Sequence, residues 1–430
     1  MEQFVIEGGH PLQGEVTPSG NKNAALPLLA ACLLTEEPVT LHNVPDIGDV
    51  RTMRALMESL GVSVIDQSGG SWCVQASHVR PADLDLELCL KIRASILLAG
   101  PVTARCGNLR LPPPGGDVIG RRRLDTHLLA LQALGARTDF DRIRKEFQFH
   151  SEGLNGADIL LDEAGVTATE NAIMGAVTAR GTTYLRNAAS EPHVQELCLF
   201  LNRMGARIDH VGSNVLRIEG VPRLKGAEFT IGPDYMEVVS FIGAAAVTRG
   251  SVRIRRAGPQ YLSMIRMTFN KFGIDWAVDG DDVVVSADQR LVVEPELGGA
   301  IPEVRVMPWP AFPTDLMSIA IVTATQSRGS VLFHDWMYPS RMFFTDKLVA
   351  MGAQIVLCDP HRCIVQGPSK LYGENMESPD IRAGMALILA ALAAQGKSVI
   401  RNIHQIERGY AQVDSKLRAL GARITRVCKT

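Results

Sequence analysis

Six times along this chain a bulky apolar residue is followed by glycine: Leu60-Gly61, Leu134-Gly135, Met204-Gly205, Phe272-Gly273, Met351-Gly352 and Leu420-Gly421. Successive glycines lie 74, 70, 68, 79 and 69 residues apart. After each comes a β-rich stretch, such as Val62-Ser63-Val64-Ile65 or Ala422-Arg423-Ile424-Thr425. Two or three dozen residues before each glycine stands a short strand opened by a turn residue, for example Pro38-Val39-Thr40-Leu41 and Gly250-Ser251-Val252-Arg253-Ile254. Helix-length apolar runs precede these strands, as at 24–34, 172–178, 236–248 and 383–394, with too few polar residues for a solvent face. Between strand and glycine lies an amphipathic helix, as at 49–60 and 414–420. Each unit reads helix, strand, helix, strands.

Repeats of this length are too long for a solenoid, whose period runs to about 20–50 residues. A chain of 430 residues is also too long for one ordinary core. Six units divided three plus three predict two similar α/β domains.

Composition narrows the function classes. Hydrophobic residues make up 46% and charged residues 21%, as in a globular protein, and the net charge of −2 provides no basic field for nucleic acid or a membrane surface. Neither a basic leader at Met1-Glu2-Gln3-Phe4 nor an apolar run of membrane-spanning length is present. The eight cysteines form no CxxC pair, which predicts free thiols in a reducing cytoplasm and no structural metal site.

Several charged motifs open the apolar helices. In Asn21-Lys22-Asn23-Ala24-Ala25-Leu26-Pro27, the lysine and the helix-start amides form an anion site or a plain cap. Further stations are Lys91-Ile92-Arg93-Ala94-Ser95, the run Pro114-Gly115-Gly116-Asp117 leading through Arg121 and Arg122 to His127, and Ala168-Thr169-Glu170-Asn171. Ala311-Phe312-Pro313-Thr314-Asp315, Asp380-Ile381-Arg382-Ala383 and Glu407-Arg408-Gly409-Tyr410 complete the set. Singly, each arginine reads as a solvated surface charge and Asp315 as an N-cap.

Together and in this order, the motifs resemble the UDP-N-acetylglucosamine enolpyruvyl transferase family along essentially the whole chain. The resemblance implies a two-domain inside-out α/β barrel. Its domains would be 22–232 and 1–21 plus 233–430, with crossings near Asn21 and Pro233 and the active site in the cleft. It further implies transfer of the enolpyruvyl group of phosphoenolpyruvate to the 3-hydroxyl of UDP-N-acetylglucosamine, the first committed step of peptidoglycan precursor synthesis. Fixed cations meet the charge demand, so no cofactor or metal is expected. A cytoplasmic monomer or weak homo-oligomer, with no nucleic-acid or membrane partner, completes the expectation.

Carried over by matching motif, Lys22, Arg122 and Arg408 hold the phosphoenolpyruvate phosphate, while Arg93, Arg341 and Arg382 line the same cleft. Guanidinium forks suit carboxylate and phosphate at two points. Asp315 orients and deprotonates the sugar hydroxyl, and Asp380 pairs with Lys22. Asn23, Met337, Glu191 and the loop Arg122, Arg123, Leu124, Asp125 and Thr126 complete the substrate contacts, with 163–167 near the nucleotide. Glu163 stands where several relatives carry lysine, and Arg123 restores that charge. Gly48 replaces a lysine of some members, and Pro339 replaces a glutamate common near Arg341.

Asp117 is the main departure, since the family usually has a cysteine there that adds to phosphoenolpyruvate and is alkylated by fosfomycin. Gly115 and Gly116 suggest a mobile lid. Burial would raise the Asp117 pKa, whereas Arg121, Arg122 and Arg123 would lower it. The expected role is proton carriage or product release, with fosfomycin insensitivity. The alternatives are a transferase acting on another nucleotide or sugar acceptor, a catalytically silent nucleotide-binding paralogue, and a scaffold without chemistry.

Overall fold

The computed structural model describes residues 2–117, 119–120 and 122–428. Two compact units result. One runs to Ser19 and resumes at Pro233; the other comprises Gly20–Asp117 and Arg122–Gly232, while Ile119 and Gly120 cluster with the first.

The repeated Gly sites are helix C-terminal caps, and all six are built alike. Gly61, Gly135, Gly205, Gly273, Gly352 and Gly421 have φ of 90, 97, 100, 73, 104 and 90°. Each glycine N–H donates three residues back, and the next N–H donates five back, as in Gly205 to Asn202 at 3.0 Å and Ala206 to Leu201 at 3.0 Å. This Schellman arrangement satisfies carbonyls that a helix end leaves open. The following residue (Val62, Ala136, Ala206, Ile274, Ala353 or Ala422) is buried, so the cap turns the chain directly back into the core.

The apolar runs form the centres of the two units. In the first unit, helices Tyr235–Thr248, Met317–Ala324 and Ile381–Ala393 pack against one another, and the first two are buried at every residue. A Cβ on Gly243 would sit 2.9 Å from Leu389 and 3.1 Å from Ile319 and Thr323, so glycine permits the three helices to meet. The second unit repeats this plan with helices Lys22–Ala31, Ala99–Cys106 and Val166–Ala176. Its middle member is entered through a 3-10 turn, Arg93–Leu98.

Sheets cover these helices. Among the described residues, five sheets have four strands and one, built from Asn108–Leu111, Arg137–Asp141 and Glu146–His150, has three. The N-terminal strand Glu2–Glu7 pairs antiparallel with Lys397–Arg401 and Arg423–Cys428, completing the sheet of the last repeat. Each four-stranded sheet also holds a short strand that the sequence pattern does not reveal. Four of them run parallel to the strand after the buried helix in the way that Asp158–Leu160 joins Thr182–Arg186 and Glu303–Arg305 joins Gly329–His334. In the last sheet, Asn375–Glu377 does the same for Lys397–Arg401. Strands of three or four residues are too brief to show a period of two. The family's inside-out α/β architecture is present in both units.

No atom lies within 4 Å of where a Cβ on Gly205 would sit, so Gly205→Ala isolates the cost of the left-handed conformation. We expect it to lower unfolding free energy by about 1–2 kcal/mol, read as a lower urea midpoint. Gly205→Asn should lose less.

Candidate active site

In the second unit, Asn21 caps helix Lys22–Ala31, its Oδ1 accepting from Asn23 and Ala24 N–H at 2.8 and 3.3 Å. The cap reading therefore describes Asn21, and the charge of the motif resides in Lys22. Lys22 is 8% exposed, with its ammonium 2.6 Å from Oδ2 of buried Asp49. Asp49 lies in the first turn of helix Gly48–Ser59. Within its own unit, the carboxylate paired with Lys22 is Asp49. Both residues start neighbouring helices of one repeat, and a buried ammonium requires a close partner.

Arg93 has a backbone target. Its Nη2 donates to the Arg122 carbonyl at 2.9 Å and the Arg123 carbonyl at 3.2 Å, fastening the loop that carries Arg122. Arg123 bonds Asp125 at 3.2 Å and Asp162 at 2.9 Å. These pairs are partly exposed, and Glu163 is exposed as well. Thr126 Oγ1 donates to the other Asp162 oxygen at 2.7 Å, and Leu124 lies at the start of helix Asp125–Ala133.

Behind this loop lies a buried polar chain. Asn171 Oδ1 accepts from Gly100 N–H at 2.7 Å, and its Nδ2 donates to the Ile96 carbonyl and to His127 Nδ1, each at 2.9 Å. Because Nδ1 accepts, Nε2 carries the proton and donates to Thr167 Oγ1 at 3.2 Å. Burial, assisted by the Arg93 charge, pushes the His127 pKa down to about 3. Nearby Glu170 is fully buried; burial, then Glu191, raises its carboxyl well above the usual range.

Asp117 is half-buried in the loop before helix Asp125–Ala133, and Arg121 lies outside the described residues. A Cβ on Gly115 would fall 1.6 Å from the Leu90 carbonyl oxygen, and one on Gly116 2.9 Å from Arg93 Cβ. The glycine pair is required by close packing on 90–93.

The first unit centres on Asp315. Arg341 Nη2 donates to its Oδ1 at 2.8 Å and Arg382 Nε to its Oδ2 at 3.1 Å. Asp315 occupies a 3-10 turn, Thr314–Leu316, just before helix Met317–Ala324, and both of its carboxylate oxygens meet guanidiniums. Burial opposes the Arg341 charge, but Asp315, Asp380 and Asp335 outweigh it and raise its pKa. Arg382 behaves alike, with Asp315 the leading charge against burial. Arg341 lies over the Tyr338 ring and Arg382 over the Tyr410 ring, both at 5.5 Å. Arg341 Nε and Arg382 Nη1 are buried without a hydrogen-bond partner among the described residues.

Asp380 caps helix Ile381–Ala393, accepting from Arg382 and Ala383 N–H at 2.8 and 2.9 Å. Arg408 Nη1 donates to Gln405 Oε1 at 3.0 Å. A Cβ on Gly409 would lie 2.5 Å from Ile381, so the Arg-Gly-Tyr motif packs tightly on that helix start. Tyr410 is 1% exposed and shares a 3.0 Å hydrogen bond with Ser240. Met337, partly buried, packs on the core. Sequence reasoning missed Asp49, Asp162 and Asp335; only Asp49, at a helix start, had a local signal.

A family model described as EPSP synthase (3-phosphoshikimate 1-carboxyvinyltransferase) matches residues 6–417. The chain belongs to this family of carboxyvinyltransferases. It is 57% identical over 426 residues to the UDP-N-acetylglucosamine 1-carboxyvinyltransferase of Bradyrhizobium diazoefficiens, covering 99% of this chain and 98% of that one. With the enzyme of the same name from Treponema denticola it shares 53% identity over 424 residues, 99% of each chain. The crystal structure of the enolpyruvyl transferase NikO from Streptomyces tendae has the same fold, with a TM-score of 0.88 at 24% identity over 100% of this chain and 99% of that one. EPSP synthase from Acinetobacter baumannii follows at a TM-score of 0.74 and 16% identity, covering 100% of both.

The His127 environment yields a pH test. Its folded pKa lies below the unfolded value of 6.5, so its contribution is full above pH 6.5 and is lost as pH falls toward 3. At pH 4.5 the loss is roughly 2–3 kcal/mol. Urea midpoints of wild type should fall more steeply from pH 6.5 to 4.5 than those of His127→Gln.

Proposed function

We infer that this protein is an enzyme that transfers the enolpyruvyl group of phosphoenolpyruvate to the 3-hydroxyl of UDP-N-acetylglucosamine and releases phosphate. The product is the first committed intermediate of peptidoglycan precursor synthesis. Full-length identity of 57% to a named UDP-N-acetylglucosamine 1-carboxyvinyltransferase carries this conclusion.

The chemistry assigns roles to the residues. The carbon bearing the phosphate becomes electrophilic as the methylene takes a proton. The acceptor oxygen loses its proton and bonds to that carbon, and the new methyl gives up a proton as phosphate leaves by C–O cleavage. Asp315 takes the hydroxyl proton: its carboxylate is oriented by two guanidiniums. Lys22, Arg122 and Arg408 hold the phosphate, with Arg93 steadying the Arg122 backbone. The unpaired Arg341 and Arg382 donors support their binding of a substrate anion. Asn23, Met337, Asp380 and the loop residues Arg123, Leu124, Asp125 and Thr126 shape the acceptor contacts. Asp117 carries a proton or assists product release.

Among the described residues no helix is long and apolar enough to cross a membrane. A cytoplasmic monomer or weak homo-oligomer acting on these two small substrates fits this reading. Because Arg123 is already ion-paired, a different nucleotide acceptor is the second reading, and the same assay compares it.

Phosphate release from phosphoenolpyruvate should require UDP-N-acetylglucosamine, and Asp315→Ala should lower turnover by about 10²–10⁴-fold. Release only with another acceptor would favour the second reading. Asp117→Ala should turn over more slowly than wild type. Fosfomycin should cause no time-dependent loss of activity in wild type, whereas Asp117→Cys should acquire it.

A further inference from the structure

Asp335 lies just beyond strand Gly329–His334 and is 0% exposed. Nothing in its immediate sequence marks it as functional. Its Oδ2 accepts from Thr314 Oγ1 at 2.5 Å, and its Oδ1 accepts from the Met337 and Tyr338 N–H groups at 3.1 and 3.2 Å. Its own N–H donates to the His361 carbonyl at 2.8 Å, and His361 Nδ1 returns a bond to the Asp335 carbonyl at 2.7 Å. The residue is thus held by the turn between strands Gln354–Asp359 and Arg362–Gly367.

We propose that Asp335 is a positioning residue for enolpyruvyl transfer, its buried carboxylate locking the Asp315 turn to the segment that carries Met337 and Arg341. The contacts close a ring. Thr314 adjoins Asp315, Asp315 accepts from Arg341 at 2.8 Å, Arg341 stacks over Tyr338 at 5.5 Å, and the Tyr338 N–H returns to Asp335. Two N–H donors meet one Asp335 oxygen and the Thr314 hydroxyl meets the other, so an amide could keep these contacts only by turning its NH2 to that hydroxyl, and it would lose the charge. Burying a carboxylate is costly, so a role confined to joining two loops would be served at lower cost by a neutral side chain. The negative charge also acts on Arg341, whose guanidinium it helps to hold in the charged form. Displacing the ring would misplace the base relative to the hydroxyl without removing any group that touches substrate.

This proposal rests on Asp315 acting as the base, and the experiment separates the two. Asp335→Asn, Thr314→Val and Thr314→Ser are compared with Asp315→Ala by steady-state kinetics, with active sites counted by tight substrate binding. Asp335→Asn and Thr314→Val should lower kcat about tenfold or more, while KM for both substrates changes less than about threefold. Thr314→Ser, which keeps the hydroxyl, should recover most of the rate. Inactive Asp315→Ala beside unchanged kcat in Thr314→Val and Asp335→Asn would overturn the positioning role. So would a loss confined to the fraction of folded sites. A fully active Asp315→Ala would remove the base assignment and the proposal with it.

Discussion

Helices with no solvent face impose the main constraint on this protein. A segment such as Tyr235–Thr248, buried at all 14 residues, can exist only where neighbouring helices and sheets together cover every side of it. Polar groups can then leave the core only at the helix ends. The C-terminal side of each repeat returns through a strand, an amphipathic helix and a glycine cap, which satisfies the backbone without charge. The N-terminal ends are where charge collects. Asn21 and Lys22, Arg93, Asp234, Asp315, and Asp380 with Arg382 all stand at or beside the start of a buried run.

That placement has an electrostatic consequence. A helix start offers unpaired N–H groups and the positive end of the dipole. Here Asn21, Asp234 and Asp380 cover part of that potential with side-chain oxygens. The positive charge left at these helix starts is carried by side chains, Lys22 in one unit and Arg341 and Arg382 in the other. Those cations are in turn held by carboxylates, Lys22 by Asp49 and the pair Arg341 and Arg382 by Asp315. A cluster of like charges without such partners would repel itself and resist burial.

The same constraint explains what is legible in the sequence. Buried helices and glycine caps depend on residue types at fixed spacing, so the six repeats and their elements can be read directly. The short parallel strands cannot, because strands such as Glu228–Thr230 carry too few residues for alternation. The charged motifs are visible, but their partners are not. Lys22 stands out in its motif, but its Asp49 partner comes from the start of the next helix of the repeat. Arg93 reads as a ligand-facing charge, and a backbone carbonyl as partner leaves no trace in side-chain identity. Asp335 is invisible for a similar reason: an aspartate after a strand looks the same whether it is solvated or fully buried.

The loop around Asp117 combines both lessons. The glycine pair before it reads as a hinge, since glycine frees the backbone. Packing gives another reason, because any side chain on Gly115 would collide with the Leu90 carbonyl. The far arm is held as well, with Arg93 bonded to the carbonyls of residues 122 and 123. Both arms are therefore fastened to one short segment, 90–93, which leads into the buried run beginning at Arg93. Asp117 sits where the first anchor ends, and Arg122 where the second begins. Asp117 and Arg122 therefore both lie next to contacts made by that one segment. The Asp117 carboxylate is carried by the loop, while the guanidinium that fixes the loop belongs to the core.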